Sequence, residues 1–302
     1  MRDRQYWKSV APLFVFAAMC LASLSTAHGQ AMSLSKGDTN QHSGIAAPTI
    51  CQETFTPASL KDALREVCLR KPAAIADSRN TIIIGFVGGF VKSDDPRHPE
   101  VQFASYLRDR YVSGTHVQVF SNHAGREALR QVEHLLDTDR DGTLSASEKQ
   151  QARIIVYGHS WGASETVSFA RELGQQGIPV LLTIQVDSIA KPGQKDSTIP
   201  PNVASAVNFY QSGGFLHGRS EILAADPART KIIGNFEMKY RNHPINCDNY
   251  PWFARTFNKP HHEIENDPRI WDQLASLIDA ELSNPGPSVN SSGVEEEGQF
   301  GR

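Results

Sequence analysis

Apolar positions along this chain follow two alternating patterns. Short runs that are apolar at almost every position read as strands buried on both faces: TIIIGFV (81–87), RIIVYG (153–158) and VLLTIQV (180–186). HVQVFS (116–121), ASAVNFY (204–210) and KIIGNFEM (231–238) read as further strands. Between them lie stretches with helical spacing. VQFASYLRDRY (101–111) predicts a helix, and AGREALRQVEHLLD (124–137) places Leu129, Val132, Leu135 and Leu136 on one face. A helix is expected from the residue after Ser160 through Leu173, and a closing helix over Asp267–Leu282. Strands alternating with helices predict an α/β fold with a mostly parallel, doubly wound sheet over residues 80–284.

The ends differ from this core. Arg2, Arg4 and Lys8 precede the apolar stretch Val10–Leu24 and the small residues STAHGQA, so residues 1–29 are expected to be an export signal. Residues 30–79 read as a polar linker and a helical segment at Ser59–Leu69, and 285–302 as a disordered tail. No later stretch reaches the ~18 apolar residues of a membrane span. The net charge of −3 offers no basic field for nucleic acid. Oligomeric state leaves no mark in the sequence. Past the signal three cysteines remain. Either Cys51 pairs with Cys68 and Cys247 is free, or Cys247 ties the N-terminal segment to the core.

Candidate chemistry sits at the end of the third strand. Gly158-His159-Ser160-Trp161-Gly162 is a GxSxG pentapeptide. Alone it occurs by chance in roughly one chain in ten of this length. Its setting is more specific, because an apolar strand precedes it and a helical stretch follows. That turn holds a serine at the carboxyl end of a sheet, over a helix N-terminus whose N–H groups favour negative charge.

On these residues the chain resembles the α/β-hydrolase superfamily, over residues ~80 to 283. The resemblance implies a nucleophile at Ser160, then an acid, then a histidine, in that order. Asp187, closing the next strand, is the expected acid; Asp226 is its rival. Histidine is expected in a loop before the last helix, where His261 and His262 are adjacent. Esterase- and lipase-like members often carry His-x-x-apolar at this point, which favours His261 with Ile264. The oxyanion donors implied are the N–H of Trp161 and that of Gly89 or Phe90, in GFVGGF (85–90). The usual His-Gly pair of that loop is replaced by Val87-Gly88. The substrate class implied is a small-molecule or lipid ester. An amidase or peptidase, or a calcium-dependent binding protein on a non-catalytic scaffold, remains open.

One stretch does not belong to that pattern. DTDRDGTLSASE (137–148) matches every position of an EF-hand loop. Asp137, Asp139 and Asp141 stand at positions 1, 3 and 5, Gly142 at 6, Thr143 at 7, Ser145 at 9 and Glu148 at 12. These are hard oxygen donors, and the expected cofactor is Ca2+. The entering helix is complete and the exiting one short, so a single hand is expected as an insert over 124–152, in a structural role.

Overall fold

The computed structural model describes residues 81–283 apart from 249 and 251. The expected export signal, linker, Ser59–Leu69 helix and tail, with Cys51 and Cys68, lie outside the described residues. No described helix is long and apolar enough to cross a membrane.

Six strands form one sheet, all neighbours parallel: β1 Thr81–Val87, β2 Thr115–Ser121, β3 Arg153–His159, β4 Val180–Val186, β6 Val203–Tyr210 and β8 Lys231–Glu237. Their order is β2-β1-β3-β4-β6-β8. The expected doubly wound α/β class is the observed one. A second sheet pairs the dipeptides β5 Thr198–Ile199 and β7 Leu223–Ala224, too short to carry any periodicity.

Seven described helices complete the chain: α1 Pro99–Arg110, α2 Gly125–Leu136, α3 Ala146–Gln150, α4 Trp161–Gln175, α5 Trp252–Phe257, α6 Lys259–Glu265 and α7 Pro268–Ser283. Alternate residues of each strand serve opposite faces. Ile83, Ile155, Tyr157 and Leu182 pack with Phe103 and Leu107 of α1 and Ile270, Leu274 and Ile278 of α7. Ile82, Ile84, Phe86, Ile154 and Val156 pack with Val132 of α2 and Val167, Phe169 and Leu173 of α4. Each fully buried Leu, Ile, Val or Phe contributes about 1.5–3 kcal/mol. Both faces are covered, so the central strands are apolar throughout rather than alternating.

The strand order locates the site. From β1 the chain moves outward to β2; from β3 it moves the other way to β4. Oppositely directed crossovers leave a crevice at the carboxyl ends of β1 and β3. Gly88 follows the first of these strands and Ser160 the second.

The region expected as a loop before the last helix is different. His261 and His262 lie on the short helix α6, and α5 precedes it. Pro260 in the first turn of α6 has its φ preset for a helix and needs no hydrogen bond there. Seven residues span too few turns for a periodic signal.

Candidate active site

Ser160 occupies a backbone conformation that side chains rarely adopt, φ 57° and ψ −122°, between β3 and α4. Strain of this kind costs about 1–3 kcal/mol and is held by the surrounding packing. Here the packing is the close approach of α4 to the sheet. A Cβ on Gly162 would sit 2.1 Å from the Phe86 carbonyl oxygen, so only glycine lets the helix begin there. The Ser160 N–H donates to the Val186 carbonyl at 2.9 Å, which fastens the turn to β4.

Three distant segments meet at this serine. Ser160 Oγ lies 3.1 Å from His261 Nε2, and His261 Nδ1 lies 2.6 Å from Asp187 Oδ2. The Asp187 partner assigns the proton to Nδ1, so that Nε2 accepts from the serine hydroxyl. Asp187 itself has a positive φ of 46° just after β4 and is fully buried. Its Oδ1 accepts from the N–H groups of Gln211 at 3.2 Å and Gly218 at 2.8 Å, and Oδ2 also accepts from Gln211 Nε2 at 2.8 Å. Gly218 can come this close only without a side chain, since its Cβ would meet Asp187 Cα at 2.6 Å.

These partners fix the charges. Burial would push the Asp187 carboxyl up, but bonds from His261 and Gln211 and the charges of His261 and His159 hold it below its ordinary value. Burial also pushes His261 down, against the raising effect of Asp187, and His159 pushes it down further. A neutral imidazole facing a hydroxyl can take its proton.

The rivals stand elsewhere. Asp226 lies in a surface turn, accepting from Ala228 N–H at 3.0 Å. His262 stacks on Tyr250 with ring centroids 4.0 Å apart, and its Nδ1 is 3.7 Å from Glu265 Oε2.

Trp161 is the first residue of α4, a position whose N–H has no partner within the helix. The loop after β1 lies against the serine, since a Cβ on Gly88 would be 3.1 Å from Ser160 Cβ. Gly89 has a positive φ of 45° with open space around it. Phe90 is exposed and packs edge-on against Trp161 at 5.4 Å. Asn122 Nδ2 donates to the carbonyls of Val87, at 3.2 Å, and Gly89, which holds the loop in place. Nothing in the sequence singled out Asn122, Gln211 or Gly218; each acts through a contact with a segment far along the chain.

Lys191–Asn202 and His243–Phe257 read as walls of the site in the sequence. Lys191 instead pairs with Glu165 at 2.7 Å and donates to the Asn122 carbonyl, bracing the residue that holds the Gly89 loop. A cavity of about 520 Å³ is lined by Ile245, Cys247, Trp252, Arg255 and Lys259, but by none of Ser160, Asp187 and His261. Cys247 is buried and free, and burial pushes its thiol up to about 11.

Behind the serine lies a charged cluster that the sequence did not reveal. His159 Nδ1 is 3.5 Å from Glu100 Oε1 and 3.8 Å from Glu265 Oε2, and His98 Nδ1 is 3.0 Å from Glu265 Oε1. Burial lowers His159, but the charge of Glu265 and the bond and charge of Glu100 raise it to about 9. Burial would raise Glu265, and the His159 charge holds it well below its ordinary value.

In the 137–148 loop, one carboxylate oxygen from each of Asp137, Asp139 and Asp141 lies within 4.8 Å of the others. Asp137 accepts from the N–H groups of Asp141 at 3.1 Å and Gly142 at 3.0 Å, where Gly142 has φ 84°. Thr143 donates to Asp141 through both its N–H and its hydroxyl. Glu148 is not in this cluster. Its carboxylate accepts from Thr138 and from Ser145, which caps α3, and these bonds lower it to about 2. The Asp141 N–H lowers Asp139, yet slight desolvation and the charges of Asp141 and Glu148 raise it on balance. The fit to a calcium ion is good for the three aspartates, which gather hard oxygens at one point.

No family model matches the chain, and no curated protein does. Among solved structures it is similar to a novel cutinase-like protein from Cryptococcus sp., at 11% identity over 68% of this chain and 95% of that one, TM-score 0.37. It is also similar to an arylesterase, at 11% identity over 68% of this chain and 75% of that one, TM-score 0.36. A third match is an uncharacterized protein from Pseudomonas aeruginosa, at 10% identity over 59% of this chain, TM-score 0.34. This chain spans only 42% of the length of that one. Likeness at this level carries nothing about chemistry, which has to come from the site.

Proposed function

We propose that this chain is an exported serine hydrolase that cleaves an ester or a related acyl bond. The reading rests on one line of hydrogen bonds, from Ser160 Oγ to His261 Nε2 at 3.1 Å and from His261 Nδ1 to Asp187 Oδ2 at 2.6 Å. Ser160 Oγ attacks the acyl carbon while His261 Nε2 takes the hydroxyl proton. Asp187 stays ionised, orients the ring and stabilises the imidazolium that forms. Negative charge developing on the carbonyl oxygen is met by the N–H groups of Trp161 and Gly89. His261 returns the proton to the leaving alkoxide, and water deacylates Ser160 by the same route. The exposed Phe90 edge beside Trp161 suits an apolar acyl group.

The calcium reading belongs to the same proposal. Asp137, Asp139 and Asp141 would hold the ion, with Thr143, Ser145 and Glu148 as the remaining donors. Bound calcium neutralises carboxylates that otherwise repel one another. The loop lies in the connection from α2 to β3, so its stiffness supports the strand that carries Ser160.

The test is hydrolysis of a short-chain p-nitrophenyl ester by the purified protein, titrated from chelator to excess calcium, beside fluorophosphonate labelling. Labelling confined to Ser160, with turnover, supports the reading. A folded protein that neither turns over nor labels overturns it and leaves a calcium-dependent binder.

A further inference from the structure

We propose that His98, Glu100 and Glu265, with His159 beside them, form a site for a divalent transition metal, zinc above all, behind the Ser160 elbow. One ligand atom from each of His98, Glu100 and Glu265 lies within 4.8 Å of the others. The closest approaches in the cluster are 3.0 Å from His98 Nδ1 to Glu265 Oε1 and 3.5 Å from His159 Nδ1 to Glu100 Oε1. Tetrahedral zinc with bonds of about 2.0–2.1 Å separates its ligands by roughly 3.3–3.4 Å. Separations of up to 4.8 Å would have to close by up to about 1.5 Å for these donors to enclose an ion.

Charge and hydrogen bonding point the same way. Glu100 is 0% exposed and Glu265 4%. Two carboxylates taken out of water need compensating charge and partners for their lone pairs. His159 and His98 stand beside these carboxylates but leave Glu100 Oε2, an oxygen of the clustered carboxylate, buried without any hydrogen-bond partner. His262 Nδ1, 3.7 Å from Glu265 Oε2, is likewise unpartnered. A cation answers both needs at once, because it binds the oxygens directly.

The donor set selects the metal. Calcium and magnesium take oxygen almost exclusively, whereas imidazole with carboxylate suits zinc and its neighbours. This site is thus chemically distinct from the aspartate loop at 137–148. Its place in the fold suggests a structural role. His98 stands at the N-cap position of α1, Glu100 lies in the first turn of that helix, and His159 ends β3 next to Ser160. Glu265 ends α6, one turn beyond His261. An ion here would bind the helix that carries His261 to the strand that carries Ser160.

The experiment uses the full chain purified without chelator, in calcium-containing buffer. Zinc content is measured by mass spectrometry, and affinity by competition with a chromophoric zinc chelator. The expected result is about one zinc per chain, whose removal lowers the melting temperature and whose return restores it. His98→Ala and the neutral isostere Glu100→Gln should each weaken zinc binding by about tenfold or more, since loss of even a residue that only supports a ligand costs about that much. Both should keep the response to calcium, with folding checked by circular dichroism. Cobalt in place of zinc should give the intense visible absorption of a tetrahedral ion. Folded wild-type protein with less than about a tenth of an equivalent of zinc, and no competition for added zinc, overturns the proposal. So does zinc binding that both variants leave unchanged, since the ion would then sit elsewhere.

Discussion

His261 Nδ1 lies 2.6 Å from Asp187 Oδ2 although 74 residues separate them, and the same imidazole reaches Ser160 Oγ with its other nitrogen. Asp187 is saturated with donors: two backbone N–H groups, the Gln211 amide and His261. Asp187→Asn should therefore do more than remove a charge. Its amide would face donors, or force His261 into the wrong tautomer. Loss of kcat by about 10⁴-fold is expected, with destabilisation of about 1–3 kcal/mol from mismatched hydrogen bonds. Ester kinetics and urea unfolding of the same variant check both.

Ser160 separates activity from stability. Ser160→Ala should abolish turnover, by about 10⁴-fold or more. Ser160→Gly should be equally inactive yet more stable than the alanine variant, by about 1 kcal/mol or more, because glycine accepts φ 57° without strain. Equal melting temperatures for the two would show that the elbow holds no strain.

Gly162→Ala tests how α4 meets the sheet. An added Cβ would lie 2.1 Å from Phe86 O and 2.8 Å from Val87 O, both backbone atoms that cannot rotate away. Destabilisation of roughly 3 kcal/mol or more is expected, within the range of severe overpacking. A melting temperature within a degree or two of wild type would contradict the close packing.

Activity should persist into mildly acidic solution. The proposed base works only when neutral, and burial together with the His159 charge lowers His261 below its ordinary value of 6.5. Acidification must then pass below about 6.5 before the imidazole gains a proton and Ser160 loses its acceptor. The acid limb of kcat/KM is expected to have its midpoint below 6.5. A midpoint above 7 would mean that Asp187 dominates and that the base is protonated at rest.

Calcium should act on stability before it acts on rate. Depletion of calcium alone, with zinc held constant, is expected to lower the melting temperature by several degrees, and Asp139→Ala should remove that response while leaving ester turnover in excess calcium within about threefold of wild type. Differential scanning fluorimetry with and without added calcium, at constant zinc, makes the comparison.

Much of this protein could be read along the chain. The central strands declared themselves because both faces of the sheet are covered, which forces continuous apolar runs such as TIIIGFV. Gly158–Gly162 was legible because it is contiguous, with its spacing set by local backbone geometry, and the same holds for the clustering of Asp137, Asp139 and Asp141. Asp187 was found from its place at a strand end. Other features depended on the tertiary structure. Helix α6 is too short for periodicity, and only packing against the sheet turns His261 toward Ser160 and leaves His262 on Tyr250. Asn122, Gln211 and Gly218 matter through bonds to segments 24 to 35 residues away. Glu100 and Glu265, 165 positions apart in the chain, look like ordinary solvated acids until the fold buries them around His159. Local sequence determines which backbone conformations and burial patterns are favourable. Which side chains share a charge or a proton depends on distance in space, and that is decided only when the sheet has formed.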